Sequence, residues 1–544
     1  MEITLIQCIL IGIWSGVCFT GMLFGTFTNR CLVLSAGVGV ILGDLPTALA
    51  MGAVGELAFL GFGVSQGGSV PPNPLGPGII GTIIAVTMKG QGIDPGSALA
   101  LSFPFAVAIQ FLITAIYTVS TTLTAGIGKA LKNGNFVKFR LLANVTLIIF
   151  LISGFCIGFA GAYSAKGLQN LIGLIPGWLS TGLGVAGNML PAIGFAMILS
   201  VMVKKKYIPY VLIGYLAAAY LKLTVIGIAI LGTAIALLEY FRREAADGER
   251  RQERDETLQG GRADVENEGI RGAHARSLSK ILTVRDYRKT ALRAYFLQSA
   301  FNYGNYEGTG YAYIMYPALR KLYQEDEQLK EALQDNMEFF CTNPNFTPII
   351  TSLHLVMLEN GTPPEEIKSI KRALMGPLAG IGDSLVQFCL APLFSTIGAS
   401  LARDGMILGP VFFLLAQNCC LVSLKLLSGS WGYRLGTSIV ESLHSKMEQV
   451  SDVAGMIGVT VIAGLTVNFV KITTPLAYTA SLSGGEVSSV YIQNMLDAVA
   501  PNLLPVLYTG LIFYLIKVRK WNVYRLVGLT VAAGIALSAL GIIG

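Results

Sequence analysis

Residues 242–276 read RREAADGERRQERDETLQGGRADVENEGIRGAHAR. About half of them are charged, both signs are mixed, and almost nothing in the stretch can fill a core. A segment this polar buries too little apolar surface to offset its ordering entropy, which predicts a disordered linker. The alternative is a solvated helix of one large domain. Apolar periodicity is lost abruptly on both sides of it. The chain is therefore read as two units, residues 1–241 and 280–544, joined by a charged linker over 242–279.

The 544 residues are 53% hydrophobic and only 13% charged, with 63 glycines and a mean hydropathy of +0.62. Soluble domains carry about 25% charge, so the expected fold is an all-α integral membrane protein with several spans. Glu2, with no basic cluster ahead of the first apolar run, argues for a retained first span over a cleaved signal peptide. The net charge of +7 points to basic cytoplasmic loops in such a protein, and not to nucleic acid. Eight cysteines form no CxxC pair; they read as small buried hydrophobes, with neither a disulfide framework nor a metal site. The three histidines, His274, His354 and His444, are isolated from one another. No cofactor is expected.

In the first unit apolar runs recur near 4–25, 33–62, 76–94, 97–125, 142–165, 170–202 and 208–240. In strongly apolar surroundings, residues 65–78 read SQGGSVPPNPLGPG, which no regular helix survives. Irregular backbone at membrane depth is tolerated only where protein buries it or it lines a wet cavity, and broken helices of this kind form transporter binding sites. The other reading is an ordinary extramembrane loop. Lys129, Lys132, Lys138 and Arg140, then Lys204, Lys205 and Lys206, then Arg242 and Arg243 form basic clusters. Two apolar segments can separate each cluster from the next, so all three, and the linker, can face the cytoplasm. Asp44 and Glu56 are acids inside apolar surroundings, costly there and therefore functional candidates. Asp44, followed by Leu-Pro, reads equally as a helix cap.

The second unit opens with a more polar, amphipathic region. Residues 318–340, ALRKLYQEDEQLKEALQDNMEFF, have helical periodicity and predict a water-facing helix. Residues 298–317, QSAFNYGNYEGTGYAYIMYP, mix amides, tyrosines and one acid through Gln298, Asn302, Asn305, Tyr306 and Glu307. Sugars need such hydrogen bonds at their rims and aromatic contact at their C–H faces; an interfacial aromatic belt is the competing reading. Residues 375–388, MGPLAGIGDSLVQF, form a glycine-rich turn carrying Asp383. It lacks the Lys-Ser/Thr ending of a phosphate-binding loop, so nucleotide binding is not indicated. Apolar segments follow near 389–402, 407–428, 452–472, 502–517 and 524–543.

Both units resemble membrane components of the mannose-type branch of the bacterial phosphoenolpyruvate-dependent sugar phosphotransferase system. The first resembles component IIC through ILGDLPTALAMGAVGELAFLGFG, GGSVPPNP and IPGWLSTGLGVAGNMLPAIGFAMILSVMVKKKYIPY. The second resembles component IID through LQSAFNYGNYEGTGYAYIMYPALRKLY, DNMEFFCTNPNF and MGPLAGIGDS. These components are usually separate chains, so this is a fusion. PPNP and GVAGNMLPAIGF are most similar to members taking up N-acetylgalactosamine or galactosamine.

The resemblance implies group translocation in the bacterial inner membrane. Sugar enters a site made by both components and is phosphorylated by a phosphohistidine of a separate IIB, itself charged through IIA. Oligomers of IIC–IID pairs are implied as well. The sugar hydroxyl needs in-line approach to the phosphohistidine, and a carboxylate can accept its proton; for binding or activating the sugar, Glu56 is the first candidate and Asp383 the second. Asp44, Gln66, Asn73, Asn188, Gln298 and Asn302 are the expected sugar-binding residues. Residue chemistry alone leaves two rivals, an ion-coupled symporter releasing unmodified sugar and a non-transporting receptor.

Overall fold

The computed structural model describes residues 2–61, 71–172, 175–259, 281–435, 440–481 and 487–544, with side chains described there except at 171, 243–259, 434–448, 450–451 and 479–490. Helix α1 (Leu5–Phe24) starts at a capping box made by Thr4 and Gln7. The apolar run near 33–62 is not one span. Gly43, at φ 79°, ends α2 (Cys31–Leu42), and Asp44 caps α3 (Leu45–Ala58), with a proline in its first turn. Helices of 12 and 14 residues extend about 18–21 Å, short of a hydrocarbon core of about 30 Å. The next run is broken too, with a π-helical turn Gly76–Gly81 leading into α4 (Thr82–Thr87).

Asp94 caps the 38-residue α5 (Pro95–Lys132). There follow α6 (Phe136–Leu142), α7 (Val145–Tyr163), α8 (Ala165–Ile172), α9 (Gly177–Met189), α10 (Pro191–Met202), α11 (Ile208–Ala219) and α12 (Val225–Gln259). Helices α1 and α7 approach at small residues: a Cβ on Gly158 would lie 2.6 Å from Ser15 Cβ. Close backbone approach of this kind replaces the hydrophobic drive that lipid removes. Helix α12 does not stop at the charged stretch. It runs on to Gln259, so the first part of the expected linker is helical. Glu, Arg, Ala and Gln cost little in a helix, and mixed signs one turn apart support one another. Arg242 and Glu239 make such a pair at 3.6 Å. Residues 260–280 lie outside the described residues.

The second unit begins with α13 (Val284–Arg293), α14 (Gly308–Leu322), α15 (Asp326–Asn336) and α16 (Thr347–Glu359). The single helix expected over 318–340 is thus two. Arg320 and Lys321 lie in the last turn of α14, and Asp326 and Glu327 in the first turn of α15. Each set complements the local helix dipole, which favours a break between them. Helix α17 (Pro364–Gly382), a π-helical segment Asp383–Leu390 and α18 (Ala391–Arg403) form one long stretch, followed by α19 (Leu408–Leu435) and α20 (Val440–Phe469). An antiparallel hairpin, β1 (Ala477–Ser481) with β2 (Val487–Tyr491), is the non-helical element that hydropathy did not reveal. Helices α21 (Ile492–Val499) and α22 (Leu503–Lys517) meet at a 72° bend, and α23 (Val523–Ala539) completes the set. Among the described residues, eight helical stretches are long and apolar enough to cross a membrane, or nine counting the bent pair as one span.

The two units share one apolar core, which runs from Cys8 to Ile543 and includes Phe195, Phe413 and Leu465. A Cβ on Gly214 of α11 would meet Thr460 O of α20 at 2.1 Å, and Asn418 of α19 donates to Thr26 O at 3.0 Å. A second core packs the α5–α6 turn, through Leu131 and Phe139, onto Tyr311 and Leu319 of α14. The basic Lys129–Arg140 turn and the amphipathic α13–α16 region therefore share one side of the molecule.

Candidate functional site

Glu56 lies near the end of α3 and is fully buried. Arg30, the residue before α2, places its Nη2 2.7 Å from Glu56 Oε1. Leu32 N donates to Oε2 at 3.3 Å, and Ser395 of α18 donates its hydroxyl to Oε1. This carboxylate is neutralised by a cation of its own unit and bonded across to the other. Such an arrangement makes a junction, and a sugar would have to displace Arg30 or Ser395 to reach it. Asp44 is far away, about 18 Å of helix rise along α3. Its oxygens accept from Thr47 N at 3.2 Å and Thr47 Oγ1 at 2.8 Å, and pair with Lys89 at 3.1 Å. Of its two readings, the geometry takes the cap.

A second polar centre forms within the IID-like unit around CTNPNF, residues 341–346. Gln298 Nε2 donates to Glu307 Oε1 at 2.9 Å, and Thr342 N donates to Oε2 at 3.0 Å. The next residue, Asn343, donates from Nδ2 to Asp383 Oδ1 at 2.9 Å. Asn343 Oδ1 in turn accepts from Asn345 N at 3.0 Å and Nδ2 at 3.1 Å. Lys425 of α19, 1% exposed, donates to Asn345 Oδ1 and sits 4.1 Å from the Tyr295 ring centre. One turn, stiffened by Pro344, thus links two acids to a buried lysine. Burial pushes the Glu307 carboxyl up to about 7; the Thr342 and Gln298 donors pull against that rise, and the charge of Asp383 adds to it.

Aromatic rings flank this centre. Tyr306 meets Phe339 edge-on at 5.1 Å and Phe301 at 5.5 Å. Tyr117 of the IIC-like unit joins them, 4.7 Å from Phe301 and 5.8 Å from Tyr303. Tyr303 and Phe339 are 39% and 54% exposed, leaving apolar faces open. Tyr306 has φ 54°, an unusual value for a bulky residue. Its backbone is held by Asn302 at 2.9 and 3.3 Å. Asn302 is occupied with that turn: its Oδ1 accepts from Gly304 N and Asn305 N, and its Nδ2 donates to Ala300 O and Asn305 Oδ1.

The remaining candidates are dispersed. Asn73 starts the Gly76 turn, accepting from Leu75 N at 2.9 Å through Oδ1 while its own N–H donates to Ala106 O at 3.0 Å. Asn188, in α9, accepts from Lys471 N at 3.3 Å through its backbone oxygen. Gln66 lies outside the described residues. Of the sequence candidates among the described residues, only Gln298 and Asp383 enter one network, and Glu307 joins them. Asn343, Asn345 and Lys425 were missed. Lys425 did carry a signal, as an ionisable residue inside an apolar run. Arg30 and Ser395 carried none.

Residues 281–543 match the family described as PTS system mannose/fructose/sorbose family IID component, and residues 5–238 match PTS system sorbose-specific iic component. The mannose-specific EIID component of Escherichia coli (strain K12) is 30% identical over 49% of this chain and 96% of its own length. The fructose permease IID component of Bacillus subtilis (strain 168) is 31% identical over 44% of this chain and 89% of its own. In the first unit, the N-acetylgalactosamine permease IIC component 1 of Escherichia coli (strain K12) is 36% identical over 35% of this chain and 70% of its own. With a IIC-like unit and a IID-like unit packed on one core, the chain belongs to the mannose family of phosphotransferase-system sugar permeases, both membrane components being fused in one polypeptide.

Proposed function

We propose that this permease binds N-acetylgalactosamine or galactosamine against the Glu307 network and the neighbouring rings, carries it across the membrane, and offers a hydroxyl to the phosphohistidine of a separate IIB. The observation that carries the reading is the placing of Glu307 and Asp383 on the adjacent residues Thr342 and Asn343, beside exposed faces of Tyr303 and Phe339. Acids and amides match sugar hydroxyls, and the rings match C–H faces. In the transfer, the donor's N–P bond breaks as the O–P bond forms, and the hydroxyl proton must leave. A carboxyl near 7 suits accepting that proton at neutral pH, so Glu307 is the base. Asp383 and Gln298 hold the sugar, and Glu56 holds the two units together. The amino-sugar assignment is supported by the N-acetylgalactosamine permease relative of the IIC-like unit. The basic clusters and the linker face the cytoplasm in this reading, and IIC–IID units assemble as oligomers.

The test is uptake of radiolabelled N-acetylgalactosamine, galactosamine, mannose and glucose into vesicles holding the full chain, with and without purified phosphorylated IIB. The expected result is entry of the amino sugars only with IIB, recovered as phosphates. Unmodified sugar accumulating without IIB would replace this reading with a symporter. No uptake at all would replace it with a receptor.

A further inference from the structure

A cleft of about 190 Å³ opens in the IID-like unit between α15, α16 and the start of α17, on the side of the molecule shared with the basic α5–α6 turn. Lys371 is part of its lining and is only 4% exposed. Among the described residues its ammonium has neither a carboxylate within 4.0 Å nor a hydrogen-bond acceptor. Its near neighbours are the ring centres of Tyr311 at 4.2 Å and Phe340 at 5.3 Å. Lys368, one turn earlier on the same helix, is paired with Asp335 at 3.3 Å and Glu365 at 3.2 Å. An ammonium whose protein partners are ring faces alone leaves its hydrogen-bond donors to whatever the cleft supplies. An anionic group supplied from the cleft would complete it.

The rest of the lining says what that anion is attached to. Glu331, Asp335 and Asn336 of α15 face the cleft as acceptors, with the Tyr323 ring beside them. An anion with nothing else on it would meet acids at the rim. A molecule with hydroxyl or ammonium donors on a ring body would satisfy them. We propose that this cleft is a second site, separate from the transport site, that takes a sugar phosphate: phosphate to Lys371, hydroxyls or amine to Glu331 and Asp335. The proposal rests on the group-translocation reading for its ligand class, because a sugar phosphate is the product released on that side. The site also connects to the chemistry. Glu307 N donates to Phe340 O at 2.9 Å, and Tyr311 N donates to Glu307 O at 2.8 Å. The two rings flanking Lys371 are thus bonded through their backbones to the proposed base, which places the cleft next to the transport chemistry.

Calorimetric titration of the purified full chain in lipid nanodiscs, without IIB, tests this with galactosamine 6-phosphate, free galactosamine and inorganic phosphate as probes. The sugar phosphate should bind in the presence of saturating free sugar, more tightly than inorganic phosphate. Lys371→Met should weaken it at least tenfold while sugar uptake persists. Glu331→Gln, at an exposed rim position, should weaken it a few-fold without touching the fold. Absence of binding, displacement by free sugar, equal affinity for inorganic phosphate, or binding indifferent to both substitutions would each overturn the proposal. Failure of the transport reading is scored separately, by absence of phosphorylated sugar when IIB is supplied.

Discussion

Ser395 of the IID-like unit donates its hydroxyl to Glu56 of the IIC-like unit, on the same oxygen that Arg30 holds from 2.7 Å. Removing Arg30 strands a buried carboxylate, which costs about 3–5 kcal/mol; removing the Ser395 hydroxyl takes one charge-assisted bond, about 1.5–3 kcal/mol. Arg30→Met should therefore lower thermal stability in detergent much more than Ser395→Ala. Glu56→Gln combined with Arg30→Met should recover part of the loss. Equal effects of the two single changes would contradict the junction role.

Glu307→Gln should abolish sugar phosphorylation while leaving the protein folded. In the wild type, phosphorylation should rise as pH increases through about 7, where the carboxylate that accepts the proton becomes populated. Stability moves the other way. A carboxyl raised in the folded state contributes stability present below its ordinary value of 4.5 and lost as pH climbs through about 7. The Gln variant should show a flatter stability profile between those limits. A wild-type profile with no inflection in that window would remove Glu307 as the base.

Asn345 and Lys425 form a buried pair, with no carboxylate paired to Lys425 among the described residues. Asn345→Leu leaves the ammonium without its acceptor and should cost about 3 kcal/mol. The double change Asn345→Leu with Lys425→Met should restore much of that stability in a double-mutant cycle. Additive losses would show that the two do not act as a pair.

Replacing residues 260–280 by a Gly/Ser segment of equal length should leave uptake within about twofold of wild type if they serve only as a tether, because a Gly/Ser chain of that length can close the span. Extending the replacement back to Arg242 also removes the charged part of α12, so comparison of the two variants separates tether from helix. A large loss with the shorter replacement would give those residues a role of their own.

Much of this architecture was legible before folding. Low charge and high hydropathy showed a membrane protein, and the motifs of both units showed the family. The capping alternative for Asp44 came from its Leu-Pro neighbours alone. Other features depend on what folding brings together. Glu56 looked catalytic because an acid in an apolar run is costly, but its price is met by Arg30, 26 positions away in sequence, and by Ser395, 339 away. Asn343 and Asn345 stand in the DNMEFFCTNPNF stretch, but only the fold sets them between Asp383 and Lys425. The hairpin escaped because its strands are short and weakly apolar. The helical extension to Gln259 escaped because charge density argues for solvation and says little about backbone conformation.

The shared core from Cys8 to Ile543 has a consequence for a cell that makes several permeases of this kind. Each unit presents a lipid-depth face shaped by the other, with Gly214 against Thr460 and Glu56 against Ser395. Related components with similar faces would compete to mispair if synthesised apart. Joined in one polypeptide, each IIC-like unit meets its own IID-like unit at high local concentration. Hybrid permeases are then suppressed at synthesis, and the contacts across the seam are free to diverge from those of paralogues.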